Sequence, residues 1–255
     1  MKVRELKTDK LNVKVYDSRR EMGREAAREA AACIKKMLEN KASLNIIFAA
    51  APSQNEFLEE LRQEPGITWE RINGYHMDEY VGLKQGSHAS FSRFLDDAVF
   101  LKVPFQSVNR LIGDSVSPEA ECARYSRLLE ENPVDIVFMG IGENGHIAFN
   151  DPDTANFHDG QTVKVVELDL ACRQQQVNDG CFPSLEAVPV RAYTLTIPAL
   201  LKATKIFCIV PGGRKAKAVN QALTGSVSEA CPASILRTRE NVYLYLDQDS
   251  AGKLV

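Results

Sequence analysis

Histidine and tryptophan are scarce in this chain: four and one among 255 residues. Six cysteines, at 33, 122, 172, 181, 208 and 231, form no C-x-x-C pair, and none stands at ligand spacing from a histidine. That spacing argues against a structural zinc site and predicts no metal. Several cysteines sit in apolar contexts, as Cys208 does in Ile-Phe-Cys-Ile-Val, which fits reduced, buried thiols of a cytoplasmic protein. No basic run or basic-aromatic stripe occurs and net charge is −3, so nucleic acid is not an expected partner. No window has the length and apolarity of a membrane helix, and the opening Met-Lys-Val-Arg-Glu-Leu-Lys does not resemble a signal peptide. Low-complexity tracts, internal repeats and long linkers are also missing.

What remains is an ordinary globular composition, 44% hydrophobic and 25% charged, expected to form one α/β domain over residues 1–255. Helical and strand patterns alternate. Helices are expected at Asp17 to Asn40 (capped by Asp17 or Ser18), Ser53 to Arg62, Phe91 to Phe100, Pro118 to Glu131 and Gly213 to Leu223. Strands are expected at Leu44 to Ala50, Ile67 to His76, Val108 to Ile112, Val134 to Met139, Thr162 to Leu168, Tyr193 to Ile197, Lys205 to Val210 and Val242 to Leu246. Strands separated by helices of this length imply parallel pairing with helices on both faces. The longest irregular stretches are Asn150 to Gln161 and Asn178 to Val190, lengths at which lids and ligand loops occur.

In open parallel sheets, ligands bind beyond the carboxyl ends of the strands. Four such ends carry unusual chemistry: Ala49-Ala-Ala-Pro-Ser53, Gly74-Tyr-His-Met-Asp-Glu-Tyr80, Gly140 to Pro152, and Val210-Pro-Gly-Gly-Arg-Lys215. The third matches G-x-G-x-x-G at 140, 142 and 145, but Pro152 forbids the long helix that a dinucleotide fingerprint opens. Its glycines are expected instead to let backbone N–H groups face a substrate. His146 with Asp151 makes an acid–base pair, in which the carboxylate fixes the tautomer of the imidazole. A lone histidine is more often structural; the glycine turn and the carboxylate favour function here. Asp78 and Glu79 are adjacent on an extended segment and point to opposite faces, so one at most enters a cleft. Among apolar neighbours that carboxyl would have a raised pKa and suit a general base. Lys215 follows two glycines at a helix start, where amides, dipole and cation favour an anion. Arg173 has no diagnostic spacing and reads as a surface residue.

Met77-Asp-Glu-Tyr-Val-Gly-Leu83 and Gly142-Glu-Asn-Gly-His-Ile-Ala-Phe-Asn-Asp-Pro152 resemble the two signature segments of the glucosamine-6-phosphate deaminase (isomerase) family, which shares its fold with the 6-phosphogluconolactonases. The resemblance extends through Thr194-Leu-Thr-Ile-Pro-Ala-Leu-Leu201 and Val210 to Lys215. It implies a modified doubly wound, mostly parallel α/β sheet. It also implies conversion of an amino-sugar 6-phosphate to a ketose 6-phosphate and ammonia, without a cofactor. Asp78 would move the proton between C2 and C1, His146 would assist ring opening, and Asp151 would orient and charge it. Lys215 and Arg173 would bind phosphate with help from Ser53, Gly142 and Gly145. Family members are often homo-oligomers. Three positions depart from the family: Asn144 stands where aspartate is usual, Asp151 where glutamate is usual, and Ala49 to Asn55 replaces a loop rich in Gly, Ser and Thr. The alternatives are lactone hydrolysis with His146 activating water, against which Tyr80 replaces a typical lactonase arginine, and a non-catalytic sugar-phosphate-binding protein.

Overall fold

A computed structural model describes residues 2–84 and 86–254. The main sheet has eight strands in the order β1-β2-β11-β10-β7-β3-β4-β6. Its parallel part comprises β2 (Leu11–Tyr16), β3 (Leu44–Phe48), β4 (Ile72–His76), β6 (Ser107–Asn109), β7 (Ile136–Met139), β10 (Lys205–Val210) and β11 (Val242–Asp247). The edge strand β1 (Lys2–Thr8) pairs antiparallel with β2. Three short strands, β5 (Asp78–Tyr80), β8 (Val163–Glu167) and β9 (Arg191–Leu195), form a second, antiparallel sheet in the order β5-β9-β8. The expected parallel pairing therefore fails for the strands near 162–168 and 193–197. Both carry charged or polar residues, as Lys164, Glu167 and Arg191 show, whereas β7 and β10 from Ile206 onward are apolar and buried.

Helices α1 (Arg19–Leu38), α2 (Asn55–Gln63), α3 (Phe91–Leu95), α4 (Pro118–Glu131), α5 (Leu170–Asn178), α6 (Ile197–Leu201) and α7 (Ala216–Thr224) complete the order. In α1, Ser18 caps the first turn by accepting from the Glu21 amide at 3.2 Å. The middle of that helix's buried face, from Gly23 to Ala31, is alanine and glycine, with Met22, Ile34 and Leu38 at its ends. A Cβ at Gly23 would come within 2.9 Å of the Glu56 Cβ, so α1 and α2 approach too closely for a larger residue. Two apolar layers flank the main sheet: one on the α1–α2 side, with Phe48, Phe57, Phe138 and Phe207, and one on the α4–α7 side, with Tyr125, Met139, Val219 and Leu236. Each fully buried large side chain contributes about 1.5–3 kcal/mol of transfer free energy.

Several elements are absent from the sequence expectations. The β1–β2 hairpin is one, because Lys2, Arg4, Glu5 and Lys7 make its first strand read as a charged tail. Strand β5 is too short to show periodicity, and α5 is glutamine-rich with little amphipathic contrast. The segment 96–100 continues α3 as a π-turn, and Ile197 begins a helix rather than ending a strand.

Candidate active site

The four chemically unusual strand ends converge on one solvent-open cleft of about 500 Å³, lined by residues including Ser53, Gln54, Asp78, Gly142, His146 and Lys215. At Met77 the chain leaves the main sheet for the small one, and the Met77 carbonyl already accepts from the Leu195 amide at 2.8 Å. Asp78 is the first residue of β5, opposite Thr194. It is only 8% exposed, and its Oδ1 has no hydrogen-bond partner among the described residues. Burial lifts its carboxyl well above the usual carboxylate range, and the nearby Glu79 charge adds to the rise.

Glu79 turns the other way, as strand alternation requires. It accepts from the amides of Tyr80, Phe91 and Ser92, and so ties β5 to the start of α3. Burial raises the Glu79 carboxyl, and those amide donors partly counter the rise. His76, a residue that no sequence feature marks, holds the backbone of Asp78. Its Nδ1 lies 2.9 Å from the Asp78 carbonyl, and its Nε2 accepts from the Leu111 amide at 2.8 Å. That acceptor role places the ring proton on Nδ1. Burial depresses the His76 pKa to about 3, so the ring stays neutral. The Tyr125 hydroxyl bonds both the amide and the carbonyl of His76.

Across the cleft, the glycine turn has a different use from the one its sequence implies. The amides of Gly142, Glu143, Gly145 and His146 donate to the His146 carbonyl, Gln175 Oε1, the Gly142 carbonyl and Asn144 Oδ1. None of these four is free to face a substrate, which corrects the expectation for Gly142 and Gly145 as amide donors. Gly142 matters because the His146 ring lies against it. A Cβ there would fall 2.2–2.4 Å from three imidazole atoms. Gly145 has φ of +90°, and a Cβ there would meet Cys231 Sγ at 2.8 Å. No helix opens after this turn, which continues to Asn150. There Phe149 donates its amide, and Asn150 its Nδ2, to Thr194 Oγ1, the residue opposite Asp78.

His146 Nδ1 lies 2.9 Å from Asp151 Oδ1, a close charge contact bent away from an ideal hydrogen bond. Asp151 is 1% exposed. Burial pushes its carboxyl up, but contacts with His146, Asn144 and Cys172 outweigh this and hold it below the ordinary range. Asn144 does not line the cleft. Its Nδ2 bridges Asp151 at 2.9 Å and Asp169 at 3.2 Å, a neutral linker between two carboxylates. His146, Asp151 and the buried Cys172 place one donor atom each within 4.8 Å of one another. The argument from spacing along the chain against a histidine–cysteine cluster fails here, because α5 folds back over the glycine turn.

The remaining wall is cationic. Lys215 ends the single 3-10 turn that follows β10 and is 8% exposed; its amide donates to the Gly212 carbonyl, and its ammonium makes no hydrogen bond or ion pair among the described residues. Burial lowers its pKa, while Asp179 and Glu143 oppose the fall. Arg214 engages both of those carboxylates, at 2.5 and 3.4 Å, leaving the Lys215 ammonium to the cleft. Ser53 lines the same end. Beside it, fully buried Gln54 donates to the Ile209 carbonyl at 3.1 Å. Gln175 and Gln176 of α5 close the floor. These glutamines lie in polar segments with no sequence feature that marks them. Arg173 is not brought to the cleft. Its guanidinium donates to the carbonyls of Leu185 and Val188 at 2.6 and 3.0 Å, pinning the loop that follows α5.

The family described as glucosamine-6-phosphate isomerases/6-phosphogluconolactonase matches residues 17–244. The chain belongs to that family. A glucosamine-6-phosphate deaminase of Listeria monocytogenes is 35% identical over 211 residues, covering 83% of this chain and 88% of the relative. One from Bacillus thuringiensis is 34% identical over 217 residues, covering 85% and 80%. Among solved structures, a monomeric glucosamine-6-phosphate deaminase superimposes with a TM-score of 0.85 at 30% identity, covering 94% of this chain and 98% of that one. A 6-phosphogluconolactonase from Shewanella baltica, at 16% identity and a TM-score of 0.76 over 92% and 97% of the chains, shares the fold. Among the described residues no helix is long and apolar enough to cross a membrane.

Proposed function

We propose that this chain is an amino-sugar-phosphate deaminase–isomerase, acting on glucosamine 6-phosphate or a stereoisomer such as galactosamine 6-phosphate. The observation that carries the reading is Asp78: a buried carboxyl with a free oxygen in a cleft whose other walls hold His146 and an unpaired Lys215. The phosphate lies against Lys215 and Ser53, which orients the sugar. His146, charged and held by Asp151, gives a proton to the ring oxygen and opens the ring. Asp78 takes the C2 proton and returns it to C1, while a proton leaves the amine and one joins the C1 oxygen, so that C1 becomes an alcohol and C2 a ketimine. Water hydrolyses the ketimine, releasing ammonia and the ketose 6-phosphate. A carboxyl of raised pKa suits a base that must also give its proton back.

The test is ammonia release from glucosamine 6-phosphate, with galactosamine 6-phosphate alongside. Ammonia and the matching ketose phosphate, in equal amounts from either sugar, are the expected result. Acid release from phosphogluconolactone with no ammonia from either amino sugar would replace this reading with the lactonase one. Tight binding of an amino-sugar phosphate without turnover would replace it with a sugar-phosphate-binding role.

A further inference from the structure

The geometry points to an inhibitory zinc site formed by His146 Nδ1, Asp151 Oδ2 and Cys172 Sγ beneath the cleft. Three observations converge on it. One donor atom from each residue lies within 4.8 Å of the others, and the residues come from separate parts of the chain: the glycine turn, the segment after it, and the first turn of α5. Two of them, His146 Nδ1 and Asp151 Oδ2, are buried without a hydrogen-bond partner among the described residues. Asn144 already occupies Asp151 Oδ1, which leaves Oδ2 as the free oxygen. The side chains are 8%, 1% and 1% exposed, so the cluster is shielded from bulk water on all sides but that of His146.

The chemistry selects the ion. Imidazole, carboxylate and thiolate together suit zinc, and not calcium or magnesium, which take oxygen ligands. A tetrahedral zinc with bonds of about 2.0–2.3 Å spaces its donors about 3.3–3.7 Å apart. The present donors reach that spacing by side-chain shifts of a few tenths of an ångström to about one ångström. Binding breaks the Cys172 S–H bond and sends that proton to solvent. The thiolate and the Asp151 carboxylate then neutralise the dication, which suits a buried position. Three protein ligands leave a fourth place for water.

The consequence for activity rests on the proposed role of His146. Zinc would occupy the nitrogen that faces Asp151 and break the pairing that charges the ring. Turnover then falls through kcat, with KM nearly unchanged, because Ser53 and Lys215 lie at the other end of the cleft.

The test titrates the full-length protein with cobalt(II) alone, whose bond to a thiolate absorbs in the near ultraviolet. One equivalent is expected to raise that charge-transfer band, and zinc is expected to bleach it. Cys172→Ser should abolish the band, and His146→Gln should weaken cobalt binding while keeping a thiolate signal at higher metal. A wild-type protein without the band, or a band of equal intensity in Cys172→Ser, would overturn the site. If Cys172→Ser fails to fold, Asp151→Asn serves in its place: unchanged cobalt affinity in that variant overturns the proposal. The band does not depend on turnover. A protein that binds cobalt but releases no ammonia therefore keeps the metal site and loses the deaminase reading.

Discussion

Asp78 and Asp151 are the same residue type, each less than a tenth exposed, the one in the wall of the cleft and the other behind His146. Yet Asp78 is held well above the usual carboxylate range and Asp151 below it. Burial pushes both upward, so burial does not distinguish them; partners do. Asp151 meets His146, Asn144 and Cys172, while Asp78 meets the Glu79 charge; each keeps one oxygen without a hydrogen-bond partner among the described residues. On the proposed function, one carboxyl stays ionised and the other exchanges a proton.

The strongest way to break this contrast is Asp78→Asn. Loss of a general base should lower kcat/KM by about 10²–10⁴-fold, read as ammonia release. The same change should stabilise the protein. Because the folded pKa of Asp78 is raised, its favourable contribution is complete only below the unfolded value and is lost as pH rises through the folded one. The variant should therefore melt higher than wild type at pH 8, with the curves converging near pH 4. A variant of lower Tm at pH 8 would contradict a strained, charged Asp78.

Next in size is Gly142→Ala. Its Cβ cannot coexist with the His146 ring at 2.2–2.4 Å, so the imidazole must move. A displacement of about 1 Å can cost about 10²-fold in rate. The loss should appear in kcat, because Lys215 and Ser53 are untouched.

Asp151→Asn sharpens the other half. It should lower kcat by about tenfold or more, since the imidazolium loses its carboxylate. The folded pKa of Asp151 is depressed, so its stabilising effect is present above the unfolded value and lost as pH falls through the folded one. Wild type should melt above the variant at pH 7, and the gap should close in strong acid. A gap that persists at low pH would mean that packing, not charge, made the difference.

The smallest effect is expected from Asn144→Asp, which restores the residue usual in the family. Here it would set a third carboxylate between Asp151 and Asp169. A cost of about 1 kcal/mol would lower Tm by about 2–4 °C at pH 7. The loss should shrink towards pH 4 as the carboxylates protonate, and calorimetry across that range would show it.

How far the sequence could be read follows the same division. The parallel strands β3, β4, β7, β10 and β11 announce themselves as short apolar runs, and Ser18 and Pro118 mark helix starts. That Asp78 and Glu79 point to opposite faces was legible from strand alternation, while the choice of Asp78 as the one in the cleft came from the family resemblance. His146 and Asp151 stood close in sequence. Other features depend on contacts between distant segments, which no local pattern records. His76 meets Leu111, Gln54 meets Ile209, and Cys172 comes under His146. Arg173 shows the converse: the family resemblance gave it a phosphate-binding role, while the fold spends the guanidinium on two carbonyls of the loop that follows α5.

Thr194 gives the cleft a further property. Asp78 pairs opposite it, and the segment that follows His146 is fastened to its hydroxyl. The proton-transfer end of the cleft therefore takes its coordinates from the small antiparallel sheet, while Ser53 and Lys215 take theirs from the ends of β3 and β10 in the large one. On the proposed function, the spacing between the two sheets acts as a ruler laid along the substrate. A sugar one carbon shorter or longer would present its anion or its reacting carbons in the wrong place, even with every contacting residue unchanged.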